Sequence, residues 1–156
     1  MLYDWLLFGH ILAVAALLIN HGVSMYVLYA VRAEDDRQKI LDLITLSGRS
    51  ILPMYISIGL IVVFGLLLAL ELNVLGEWWI WLSVIILLVV IGLMSATAKP
   101  YFAKVKEACE LRPSGVPRVS DDELRQILRS SDATVITVIG TIGLVAIFYL
   151  MIFKPF

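Results

Sequence analysis

Charge is scarce in this chain. Asp, Glu, Lys and Arg supply 16% of its 156 residues, against roughly 25% in a typical soluble domain. Hydrophobic residues make up 61% and the mean hydropathy is +0.96, which excludes a soluble globular domain. An excess of one sign is missing too: 12 Lys and Arg stand against 13 Asp and Glu, so no basic surface is left over for nucleic acid. The one cysteine, Cys109, can form neither an internal disulfide nor a thiolate metal cage. Histidine is limited to His10 and His21, which restricts any hydrolytic mechanism. The sequence contains no HExxH, P-loop, GxSxG elbow or dinucleotide fingerprint. Gly140-Thr141-Ile142-Gly143 lies inside an apolar run, where it cannot cradle a phosphate. Whether the chain is an enzyme stays open, and only a cofactor would bring the chemistry.

What the sequence has is long hydrophobic runs. Four of them, about 5–31, 50–70, 78–98 and 133–153, reach the roughly 20 residues that a helix needs to cross about 30 Å of hydrocarbon. The expected fold is an all-α membrane protein: one integral domain over 1–156, a four-transmembrane-helix bundle with amphipathic cytosolic surface helices. The first run is no cleaved signal peptide, being too long and preceded by Asp4 rather than by Lys or Arg. Its length exceeds the membrane core, so it must tilt or project. Pro53 falls in the opening turn of span two, where a missing N–H does little harm.

Eleven of the 12 basic residues fall in two stretches, Arg32–Arg49 and Lys99–Arg129, and only Lys154 lies elsewhere. By the positive-inside rule loops 32–49 and 99–132 are cytoplasmic and both termini face outward, in a bacterial inner membrane. Trp5, Trp78, Trp79 and Trp81 all fall at the outer boundary, while Tyr29 and Tyr101 flank the inner one. Residues 34–47, with Ile40, Leu41 and Ile44 at helical spacing, read as an amphipathic helix on the membrane surface. Pro113, Gly115 and Pro117 break the second loop, and Ser120-Asp121-Asp122-Glu123 then opens a short helix to about Arg129. Asp36 and its acidic neighbours suit the start of the first helix, and Ser130, Ser131 and Asp132 are N-cap candidates for span four.

Polar groups inside a span turn toward the bundle interior. Span one carries most of them: His10, Asn20, His21 and Ser24 share a helical face. The two histidines stand in line but roughly 16 Å apart, so they cannot share a small ion. Each imidazole either hydrogen-bonds to hydroxyls or backbone of other helices, with Ser57, Ser83, Ser95, Thr97, Thr134, Thr137 and Thr141 as available partners, or acts as a ligand. Met25, Met54 and Met94 sit at similar depth near His21, and thioethers beside an imidazole suit copper(I). Arg49 and Lys99, at the inner ends of spans two and three, either snorkel or hold a lipid phosphate or a porphyrin propionate. Gly9/Ala13, Gly65/Ala69, Gly92/Ala96 and Gly140/Gly143 are close-packing pairs. Three readings follow: a non-catalytic bundle that packs in a homo-oligomer or a larger membrane complex, a haem- or metal-binding redox protein, and a copper or small-solute conduit along the polar face of span one.

The opening Tyr3-x-x-Leu6-Leu7-x-x-His10-Ile11-Leu12, with Gly48-Arg49-x-x-x-Pro53, Gly65 and Leu150-Met151-Ile152-Phe153-Lys154-Pro155, resembles a bacterial family of four-span integral membrane proteins of unknown function. That family is distantly similar to the copper-resistance D family and to the HemJ-type protoporphyrinogen oxidases, which carry a histidine early in span one. The resemblance implies that His10 is an axial ligand of haem b or a metal contact, with Met151 on the opposite side or that position empty. The chain departs from those families at Ile19-Asn20-His21-Gly22, where they place small residues.

Overall fold

A computed structural model describes residues 1–155. Those residues form α1 (Leu2–Ala30), a 3-10 turn (Val31–Ala33), α2 (Arg37–Glu71), α3 (Trp78–Cys109), α4 (Asp121–Leu128) and α5 (Asp132–Phe153). Four stretches, built on α1, α2, α3 and α5, are long and apolar enough to cross a membrane. The bundle has two chemically distinct ends. One carries the start of α1, the α2–α3 turn, the end of α5 and all four tryptophans; the other collects the basic segments.

At the basic end the structure departs from the sequence expectation. Residues 37–47 are no separate surface helix but the first turns of a 35-residue α2. No proline precedes Pro53 there, and Asp36 caps the new start by accepting from the Gln38 and Lys39 amides. Pro53 therefore lies in the middle of α2 rather than in an opening turn, and its ring leaves the Arg49 carbonyl without the usual intrahelical donor. Likewise α3 continues through Pro100 to Cys109. The short helix in the second loop forms as expected, with the Ser120 hydroxyl accepting from the Glu123 amide. Ser131 occupies the N-cap of α5 without a side-chain bond.

These extensions build a headpiece that holds most of the buried core. Val27, Leu28, Val31 and Ile40 pack against Tyr101, Val105, Ala108 and Cys109, and α4 closes over them with Leu124 and Leu128. Two arginines on the α1–α2 side lock it. Arg32 donates to the carbonyls of Leu128 (2.9 Å) and Ser130 (2.6 Å), where α4 ends. Arg37 donates to Ala108 (2.6 Å) and Val119 (2.9 Å) and pairs with Asp121 at 2.7 Å. Terminal carbonyls lack intrahelical donors, and a guanidinium fork at a helix C-terminus satisfies them while complementing the dipole.

Between the two ends the helices pack as two pairs. Contacts run extensively between α1 and α2 and between α3 and α5, and are sparse between α1 and α5. Glycine sets the closeness of each pair. A Cβ at Gly9 would lie 2.8 Å from the Phe64 ring, and one at Gly143 would overlap Val90. Gly92, expected to pack with Ala96, faces open space. Large apolar side chains such as Ile19, Leu52, Leu88 and Ile142 are exposed around the girdle.

Candidate functional site

The polar face of α1 distributes itself among three neighbours. His10, eight residues beyond the start of α1, donates from Nδ1 to the Ile61 carbonyl of α2 at 3.1 Å. A carbonyl can only accept, so Nδ1 carries the proton and Nε2 of the neutral ring keeps its lone pair. Gly65 makes this contact feasible: a Cβ there would stand 3.2 Å from His10 Cε1. Asn20 is satisfied locally, donating to the Ala16 carbonyl at 2.8 Å.

His21 turns the other way, toward α3 and α5. A Cβ at Gly140 would lie 3.2 Å from His21 Nε2 and 3.3 Å from Met94 Sδ, so imidazole and thioether converge on the space that this glycine leaves. Among the described residues no hydrogen-bond acceptor or donor meets the His21 ring. Of the hydroxyls expected as partners for the histidines, Ser57, Ser83, Thr97 and Thr137 donate to carbonyls of their own helices, and Ser95 meets the Tyr55 hydroxyl.

One turn toward the headpiece, three hydroxyls knot α1 to α2. Ser50 donates to the Ser47 carbonyl (2.7 Å) and Ser47 to Ser24 (3.2 Å), which leaves the Ser24 proton for Ser50 Oγ at 3.0 Å. Ser24 was legible as part of the polar face. Ser47 and Ser50 were not, because they fall at the junction of the expected surface helix and span two, away from the polar face of span one.

Helix register places the remaining expected residues. Because His10 sits on Gly65 and the helices run antiparallel, His21, eleven residues on, stands level with Met54, and both helices return to nearly the same angular position over that interval. By the same count on α5, His10 stands level with Met151. Met25 is one turn beyond His21, and Met25, Met54, Met94 and Met151 are all half-buried. Arg49 and Lys99 are exposed at the headpiece boundary of α2 and α3. By the same register Arg49 stands level with Tyr26, sixteen residues or roughly 24 Å along the bundle from His10. That separation is too great for His10 to ligate the iron of a haem whose propionates Arg49 and Lys99 hold; the four residues do not form one cofactor site.

Surface clefts also lie on the headpiece among the described residues. One, of about 470 Å³, is bordered by Lys104, Arg112, Arg118 and Glu123; its Arg118 is already paired with Glu107 and Glu110. No known protein family, no characterised protein and no solved structure matches this chain.

Proposed function

We propose that this chain is a multi-pass protein of a bacterial inner membrane, with the headpiece in the cytoplasm and both termini outside. Its own work is non-catalytic: it packs as a bundle within a homo-oligomer or a larger membrane complex. The segregation of charge carries this reading. Eleven of 12 basic residues gather at the headpiece end, the tryptophans gather at the other, and no Asp, Glu, Lys or Arg lies in 5–31, 50–70, 78–98 or 133–153. Such a surface satisfies the hydropathy, aromatic-belt and positive-inside rules together. In a Cys109→Ala background, an impermeant maleimide should label Tyr3→Cys in intact spheroplasts and Val116→Cys only after permeabilisation. The reverse pattern would overturn the orientation, and equal labelling of both without permeabilisation would overturn insertion.

A second reading is favoured by the His10–Ile61 bond. An imidazole whose Nδ1–H is committed to a backbone carbonyl presents Nε2 to a metal, the orientation that ligating histidines commonly take. His10 would hold haem b on one side with Met151 level with it across the bundle, and Gly65 and the Ile61 carbonyl would fix the ring. A bound haem would supply one-electron chemistry. The resemblance to families with an early span-one histidine supports the same assignment. A Soret band in natively purified protein, lost on His10→Ala, is the expected result; colourless protein with no extractable haem would end this reading.

A further inference from the structure

The convergence of His21 and Met94 over Gly140 is not explained by packing alone. The imidazole has no hydrogen-bond partner among the described residues, and its Nε2 approaches within van der Waals distance of the same point as a thioether sulfur. Glycine at 140 is what lets both side chains come this close to the α5 backbone. By helix register Met54 stands level with His21 on α2, and Met25 lies one turn further along α1, both half-buried. We propose that His21 and Met94 form a binding site for a soft monovalent cation, copper(I), with Met54 or Met25 completing a three-coordinate shell.

The donor set determines the metal. Imidazole and thioether are soft and uncharged, a combination that selects copper(I) over the hard cations that prefer carboxylate and carbonyl oxygen. Charge makes the same choice independently. The four apolar segments contain no acidic residue, so a divalent ion at this depth would have twice the charge to leave uncompensated in a low-dielectric interior, where isolated charge is costly. The Ser24–Ser47–Ser50 hydrogen-bond chain one turn away, which ends on the Ser47 carbonyl, supplies dipoles but no competing anion. His10 takes no part, because it stands eleven residues away on α1, so the site depends neither on haem nor on the second reading above.

The test is a competition titration of full-length protein in nanodiscs, with copper(I) maintained by ascorbate and a chromophoric copper(I) chelator as competitor. One copper(I) per chain is expected. Met94→Leu preserves side-chain volume and should weaken binding about 10-fold or more; His21→Leu should do the same, and Gly140→Ala should weaken binding by filling the shared space. Val89→Ala, at an exposed position on the same helix, should leave binding unchanged. X-ray absorption of the loaded protein should show nitrogen and sulfur scatterers together. The proposal is overturned if the wild type binds no copper(I), if Met94→Leu (with helical circular dichroism intact) binds as tightly as wild type, or if zinc(II) displaces copper(I) at equal concentration. None of these results bears on the maleimide topology experiment, so the failure of either reading is separately visible.

Discussion

Replacing Gly143 with alanine probes how the α3–α5 pair achieves its closeness. A Cβ at 143 would occupy space already filled by the Val90 side chain, and both positions lie within regular helix, where neither backbone can yield locally. The helices must then separate or Val90 must leave its preferred rotamer. Overpacking of this kind costs about 1–3 kcal/mol, which for a chain of this length corresponds to a fall in Tm of roughly 2–10 °C. Val90→Ala alone removes two methyl groups and should cost about 1 kcal/mol through lost packing. The double variant removes the obstruction as well, so it should be more stable than Gly143→Ala alone, with a coupling of at least about 1 kcal/mol. Cys109 provides the assay: it is 2% exposed and is the chain's sole thiol, so a fluorogenic maleimide reports global unfolding in a thermal ramp. If Gly143→Ala melts with the wild type, or the double variant shows no coupling, the argument that a missing Cβ sets the α3–α5 distance fails.

Gly65→Ala should push the His10 ring off the Ile61 carbonyl and destabilise by about 0.5–1.5 kcal/mol, the worth of one such hydrogen bond, with Gly59→Ala, which meets open space, as the near-neutral control in the same melt. Arg37→Ala should loosen the headpiece by about 2–4 kcal/mol, since it strands two carbonyls and the Asp121 carboxylate; Arg37→Lys should not rescue it, because an ammonium cannot reproduce the fork. Cys109 labelling kinetics would read both variants. Burial pushes the Cys109 thiol up from its ordinary value of 9.0, with Arg37 opposing. A group whose pKa is raised in the folded state stabilises below its unfolded pKa and loses that contribution as pH rises through the folded value. Headpiece stability should therefore be flat through neutral pH with respect to this group and decline above about pH 9, and Cys109→Ala should blunt that decline in a melt series across pH.

The spans were legible because they rest on composition over about 20 residues, where no tertiary contact competes. Close packing at Gly9, Gly65, Gly140 and Gly143 was legible for a related reason: small residues at helical spacing in an apolar run have few other uses. The headpiece was not. A surface helix at 34–47 and the start of a longer α2 share the same periodicity; only the packing of Ile40 beneath α3 and α4 decides between them. Arg32 and Arg37 counted in the sequence only as positive charge, whereas each satisfies helix-terminal carbonyls of the opposite half of the chain. The orientation of the two histidines was equally hidden. They share a face of α1, yet the crossing of α1 against its neighbours sends His10 to a carbonyl of α2 and His21 to the glycine of α5, a difference that one-dimensional spacing cannot carry.

The distribution of buried surface determines where this molecule has room to act. Within the apolar girdle each helix pair is closely packed, but α1 meets α5 sparsely, and His21 and Met94 lie across that seam. The headpiece joins the pairs instead: Arg32 and Arg37 reach from the first pair to the ends of α4 and α3, and Val27, Ile40, Val105 and Leu128 share one core. A seam that is loose in the middle and fastened at one end can open by a small relative tilt of the pairs without breaking either one. His21 faces this seam, and a ligand that bridges it to Met94 would draw the pairs together. Ligand occupancy should therefore slow hydrogen exchange along the α1 and α5 segments near His21 and Gly140 while leaving the headpiece amides unchanged. Slowing confined to the headpiece would place the flexible joint at the wrong end of the bundle.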